Sequence, residues 1–248
     1  MIEPFFYGDR GALAFYHPSS DPAATRLMVL CPPLFDEYRR TYKALSDLAT
    51  TCAANGVHVL RIDYSGTGEA QGMLSDVSAQ DWIDDITQAI EEGIALTGAD
   101  SAILVGVRFG ATLAAQVNHP AVDRFVFWDP LENGETYLAW LDQLEQRSRE
   151  SHLNLAKMMN REPEDISYAC FQLSESLSTS LTSLKLDSFI ANNAERLWVL
   201  STNSDVGAQE HFKNFEFAGY EYDWPAFHEG NFTPKPILEG IAQKVLMI

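Results

Sequence analysis

The chain has 248 residues, 46% of them hydrophobic and 21% charged, which is enough to bury one sizeable core as a single domain over residues 1–248. Its 35 acidic against 17 basic residues give a formal net charge of −18, which argues against nucleic acid and anionic membrane surfaces, since both select basic patches. Cys31, Cys52 and Cys170 are too few and too scattered for a disulfide framework or a zinc site, no apolar run reaches the roughly 20 residues of a membrane span, and MIEPFFYGDR lacks the pattern of a secretory leader. The expectation is a cytoplasmic protein without a metal or other cofactor.

Short strands are expected near Pro4 to Tyr7 and Ala12 to Tyr16. Buried strands follow at Arg26 to Leu30, Val57 to Ile62, Ala102 to Val105, Phe125 to Trp128 and Leu197 to Leu200, with a last one near Phe217 to Tyr222. Helical spacing of apolar residues covers Tyr42 to Asn55 and Ala79 to Leu96, where Trp82, Ile86, Ile90 and Ile94 recur every fourth position. Gly56 and Gly98 stand where helices close. This alternation predicts an eight-stranded, mostly parallel sheet flanked by helices. Residues 134–193 break it, with an amphipathic helix around Tyr137 to Met159 and no strand, and read as a helical cap inserted after the sixth strand or as plain packing helices.

The run Ser101-Ala-Ile-Leu-Val-Gly106-Val-Arg108-Phe109-Gly110-Ala is a buried strand, a Gly-x-x-x-Gly turn and a helix start. It matches the nucleophile elbow G-x-S-x-G of α/β-hydrolases with Arg108 in the serine position. A guanidinium has no atom with which to attack a carbonyl. In such sheets the site forms at the carboxyl ends of the strands. After the third strand, Pro32 and Pro33 lack an N–H, so Leu34 is the first residue able to join Phe109 as an oxyanion-hole donor, unless the two prolines only stiffen the turn. After the seventh and eighth strands come Asp205 and His228, placed as an orienting acid and a general base, with Asp129 after the sixth strand as the rival acid. His17, His58, His119, His152 and His211 lack such placement and read as surface or satisfied core residues. Asp63, in Asp63-Tyr-Ser-Gly-Thr-Gly68, is expected to hold its own loop through backbone N–H groups.

Taken together, Cys31-Pro-Pro-Leu-Phe-Asp-Glu37, Arg61-Ile-Asp-Tyr-Ser-Gly-Thr-Gly68, Trp82-x-x-Asp85, the Gly106-to-Ala111 elbow and the run from Trp128 to Leu138 resemble the exosortase A system-associated hydrolases, a branch of the α/β-hydrolase superfamily. The resemblance covers about the first 140 residues well and the rest by element order. It implies the α/β-hydrolase fold, hydrolysis, and a link to bacterial exopolysaccharide and protein-sorting loci.

Three functions stay open on these residues. In one, the chain binds a small carboxylate, acyl or phosphate ligand at Arg108 and is a non-classical or inactive hydrolase. In another it remains an ester, thioester or acyl hydrolase, either through water activated by His228 or through a displaced nucleophile, Cys31 or Ser65. In the third, Arg108 pairs with Glu37 or Asp36, because the third and fifth strands are neighbours, and locks the former site.

Overall fold

The computed structural model describes residues 2–143, 146, 173–202, 212–219, 224 and 234–247. Glu3–Tyr7 (β1), Ala12–His17 (β2), Arg26–Cys31 (β3), His58–Asp63 (β4), Ser101–Val107 (β5), Val122–Trp128 (β6), Leu197–Ser201 (β7) and Phe215–Phe217 (β8) form one eight-stranded sheet. Its order is β1-β2-β4-β3-β5-β6-β7-β8. β1 and β2 run antiparallel, joining at β4 a parallel sheet that continues to β8.

The central parallel strands β3 and β5 are apolar at nearly every position because both faces are covered. Leu27, Val29 and Cys31 of β3 enter one core, and Met28 and Leu30 enter the other. Phe125 and Phe127 against Val126 and Trp128 repeat this two-residue period in β6. The first face is covered by Ala79–Thr97 (α2) and Phe109–Ala114 (α3), and the second by Phe35–Ala54 (α1) and the C-terminal helix Lys235–Leu246. At the start of α2, the Ser78 side chain accepts from Asp81 N while Asp81 accepts from Ser78 N, and Gly98 ends the helix at φ 70°.

Two expected boundaries move. α1 begins at Phe35, seven residues before Tyr42, because its first two turns bury charges: Glu37 and Arg40 are both buried, so the apolar period does not reveal them. β8 pairs with β7 from Phe215 to Phe217, at the start of the expected segment and before it, while residues 220–223 lie outside the described set. Within the insertion, a helix (α4) runs over 134–143, followed after the undescribed stretch by Glu175–Thr182 (α5) and Asp187–Asn193 (α6); the C-terminal helix is then α7. Leu177, Leu181, Leu186 and Phe189 belong to the first core, so α5 and α6 are docked on the sheet.

Candidate functional site

β5 ends at Val107, α3 begins at Phe109, and Arg108 between them has φ 54° and ψ −122°. A non-glycine residue reaches this backbone region only when its surroundings hold it there. Arg108 N donates to Trp128 O of neighbouring β6 at 2.9 Å. The flanking glycines allow the turn to close: a Cβ on Gly106 would lie 2.8 Å from Ala111 N, and one on Gly110 would lie 2.8 Å from Pro32 C. The elbow geometry is intact with arginine on it.

The Arg108 side chain, 13% exposed, donates from Nε to Glu37 Oε1 at 2.9 Å, and Glu37 is 2% exposed. Nη1 donates to the Asp129 carbonyl at 3.3 Å. The guanidinium lies over the Trp224 ring at 4.8 Å and the Trp140 ring at 5.9 Å, within cation–π range. Burial pushes the Glu37 carboxyl above its usual range, opposed by the charge and hydrogen bond of Arg108 and by Arg40, with Asp129 pushing it up further. Glu37 is carried on the first turn of α1, and the β3–β5 pairing places that turn beside the elbow.

Asp129, at φ 44° after β6, is also brought here, but its carboxylate is spent on close neighbours. Oδ1 accepts from Ser201 Oγ at 2.7 Å and Thr202 N at 2.8 Å. Oδ2 accepts from Trp128 Nε1 at 3.1 Å, Trp224 Nε1 at 2.8 Å and Thr202 Oγ1. It ties the ends of β6 and β7 to Trp224. Leu34 caps α1, ahead of Phe35 at φ 55°, and Phe109 opens α3, so both expected donors of an oxyanion hole stand at helix starts on either side of the elbow. Asp205 and His228 lie outside the described residues.

Both candidate displaced nucleophiles are buried. Cys31 is fully buried, and burial drives its thiol well above the ordinary range. Ser65 is buried and donates from Oγ to Asp85 Oδ2 at 2.7 Å. Asp85 also accepts from Ser65 N, and Trp82 Nε1 donates to Ser65 O, so the Trp82-x-x-Asp85 motif fastens α2 to the loop after β4. Asp63 holds that loop, accepting from Tyr38 Oη at 2.7 Å and Glu69 N at 3.0 Å. His17 is buried in the core, and desolvation with the nearby charge of Arg61 lowers its pKa to about 4.

Sequence reasoning missed the aromatic wall. Tyr137 on α4 stacks on Phe109 at 4.8 Å and on Trp140 at 5.7 Å, and faces Phe35 at 6.3 Å. Trp224 packs on Trp128 at 5.4 Å, and its carbonyl accepts from Arg40 Nη2. Tyr137 fell inside the Trp128-to-Leu138 motif; Trp224 carried no signal beyond its nearness to His228. Among the described residues no cluster of His, Cys, Asp and Glu is arranged to hold a metal ion, and no helix is long and apolar enough to cross a membrane.

No family profile matches the sequence, and no curated protein matches it. Solved structures do match. Est1E from Butyrivibrio proteoclasticus superposes with TM-score 0.65 at 11% identity, covering 99% of this chain and 98% of that one. It has also been solved with ferulic acid bound, at 12% identity and TM-score 0.65, over 96% of this chain and 95% of that one. MGS-M2, an α/β-hydrolase enzyme from a Medee basin deep-sea metagenome library, matches with TM-score 0.57 at 14% identity over 87% of each chain. The thioesterase domain from the curacin biosynthetic pathway matches with TM-score 0.57 at 13% identity over 100% of each chain. Identities this low speak for architecture, and together with the sheet order they establish that this chain has the α/β-hydrolase fold.

Proposed function

We propose that this chain is a hydrolase-fold protein that holds a small acyl, carboxylate or phosphate ligand against Arg108, without covalent serine chemistry. The observation that carries the reading is the elbow itself: strained backbone presents a guanidinium, paired with Glu37, where attack would require a hydroxyl or thiol. The locked states of Cys31 and Ser65 support it. Backbone N–H groups of Leu34 and Phe109 would meet the ligand's oxygen, and α4 would cover it through Tyr137 and Trp140, as the first part of a cap over 134–193. The Cys31-to-Glu37 and Gly106-to-Ala111 motifs support placement among the exosortase A system-associated hydrolases, in the cytoplasm and at an exopolysaccharide locus.

The fold likeness to esterase- and thioesterase-type proteins favours a second reading, an active ester, thioester or acyl hydrolase in which His228, oriented by Asp205, activates water. One experiment separates them. A fluorophosphonate probe is expected to leave the protein unlabelled, and p-nitrophenyl esters are expected to turn over no faster than with His228→Ala. Stoichiometric labelling, or turnover lost in His228→Ala, would overturn the binding reading in favour of the hydrolase.

A further inference from the structure

Around Arg108 three hydrogen-bonding atoms have no partner among the described residues. Arg108 commits Nε to Glu37 and Nη1 to the Asp129 carbonyl, while Nη2 donates to none of the described residues. Glu37 Oε2 and the Tyr137 hydroxyl are buried and have no hydrogen-bond partner among the described residues. Arg108 pairs with Glu37 and lies over Trp140, on which Tyr137 stacks, which puts all three in one neighbourhood. A buried polar atom is normally paired, so Glu37 Oε2 and the Tyr137 hydroxyl are demands that a bound group would meet, and Arg108 Nη2 is a donor left over beside them.

Charge and hydrogen-bond type together select that group. Glu37 already neutralises Arg108, and Asp129 places a second carboxyl close enough to act on Glu37. An arriving carboxylate or phosphate would find a cation whose charge is largely spent, and would press its oxygens against Glu37 Oε2, an acceptor to which it offers no proton. An ester offers an acceptor but likewise no donor. A terminal amide offers both, on two atoms bonded to one carbon: its carbonyl accepts from Arg108 Nη2 and from the Tyr137 hydroxyl, and its N–H donates to Glu37 Oε2. The stacked rings of Phe109, Tyr137 and Trp140 supply an apolar wall for the body that carries the amide.

We infer that the group recognised at Arg108 is a neutral terminal amide on an apolar or aromatic body. This narrows the acyl ligand of the proposed function and rests on that reading. The test uses the full chain and three probes sharing one ring, benzamide, benzoate and phenyl phosphate, with binding followed by thermal shift and tryptophan fluorescence. Benzamide is expected to bind at least about tenfold more tightly than either anion, the difference between satisfying and leaving unmet one buried acceptor. Glu37→Gln removes the competing charge and frees Arg108, so it is expected to reverse the preference toward benzoate. Tyr137→Phe, which loses only the hydroxyl, is expected to weaken benzamide several-fold, and it stands as the test if Glu37→Gln does not fold. Benzoate or phenyl phosphate bound more tightly than benzamide by the native protein overturns the amide while leaving a ligand site at Arg108 in place. Binding of none of the three overturns the amide, and with His228-dependent ester turnover it overturns the binding reading as well.

Discussion

At the elbow, one side chain settles both chemistry and stability. Arg108 and Glu37 lie where water is largely excluded, so removing the arginine leaves a buried carboxylate, a change that typically costs about 3–5 kcal/mol. Arg108→Ala is expected to lose stability on that scale in urea melts at pH 8. Glu37→Ala should lose less, because the guanidinium keeps some contact with solvent, and the double mutant should recover part of the Arg108→Ala loss. The pH dependence follows from Glu37, whose folded pKa lies above its ordinary 4.5. The folded state then holds the proton more tightly than the unfolded state, so stability declines as pH rises from about 4.5 through the folded value. Without Arg108 the opposing influence is gone and that window widens, so Arg108→Ala should be closer to wild type at pH 5 than at pH 8. Gly110→Ala tests the turn itself: its Cβ would collide with the backbone of Cys31 and Pro32, and a loss of about 1–3 kcal/mol is expected, as for other overpacked sites.

Among the elements, the loops that carry the site are fastened by helix starts. Ser78 and Asp81 close the first turn of α2, and α2 in turn holds Ser65 through Trp82 and Asp85. Ser78→Ala is expected to cost about 1 kcal/mol, the usual worth of an N-cap side chain, with thermal melting as the readout. The described pieces of the insertion are docked on the core. α5 and α6 place Leu177, Leu181, Leu186 and Phe189 in the main core, and a Cβ on Gly134 would lie 2.5 Å from Leu181 C, so these pieces sit tightly against one another. Amides of Leu177 to Leu181 should therefore exchange slowly, within about tenfold of the amides of β7; exchange as fast as in a free peptide would show that α5 is not held by the sheet.

For the whole molecule, a net charge of −18 sets a background repulsion that no single pair removes. Raising ionic strength from about 0.01 M to 0.15 M shortens the screening length from about 30 Å to 8 Å, so the melting temperature at pH 7 is expected to rise with added salt. The sequence alone determined the alternating order of strands and helices, because a parallel sheet covered on both faces writes itself as apolar runs such as Leu27 to Cys31. It also determined the elbow, since Gly106 and Gly110 are needed by the turn whatever residue stands at 108; it offered Glu37 or Asp36 as a partner for Arg108 across neighbouring strands, and the structure pairs Arg108 with Glu37. Only the tertiary structure decided that α1 starts at Phe35, because buried charges such as Glu37 and Arg40 look in sequence like a solvated surface. It likewise decided that Asp129 is saturated by Ser201, Thr202, Trp128 and Trp224, and that Tyr137 closes over Phe109. All but the Trp128 contact join segments tens of residues apart, and local periodicity carries no record of which distant side chain fills a given hydrogen bond.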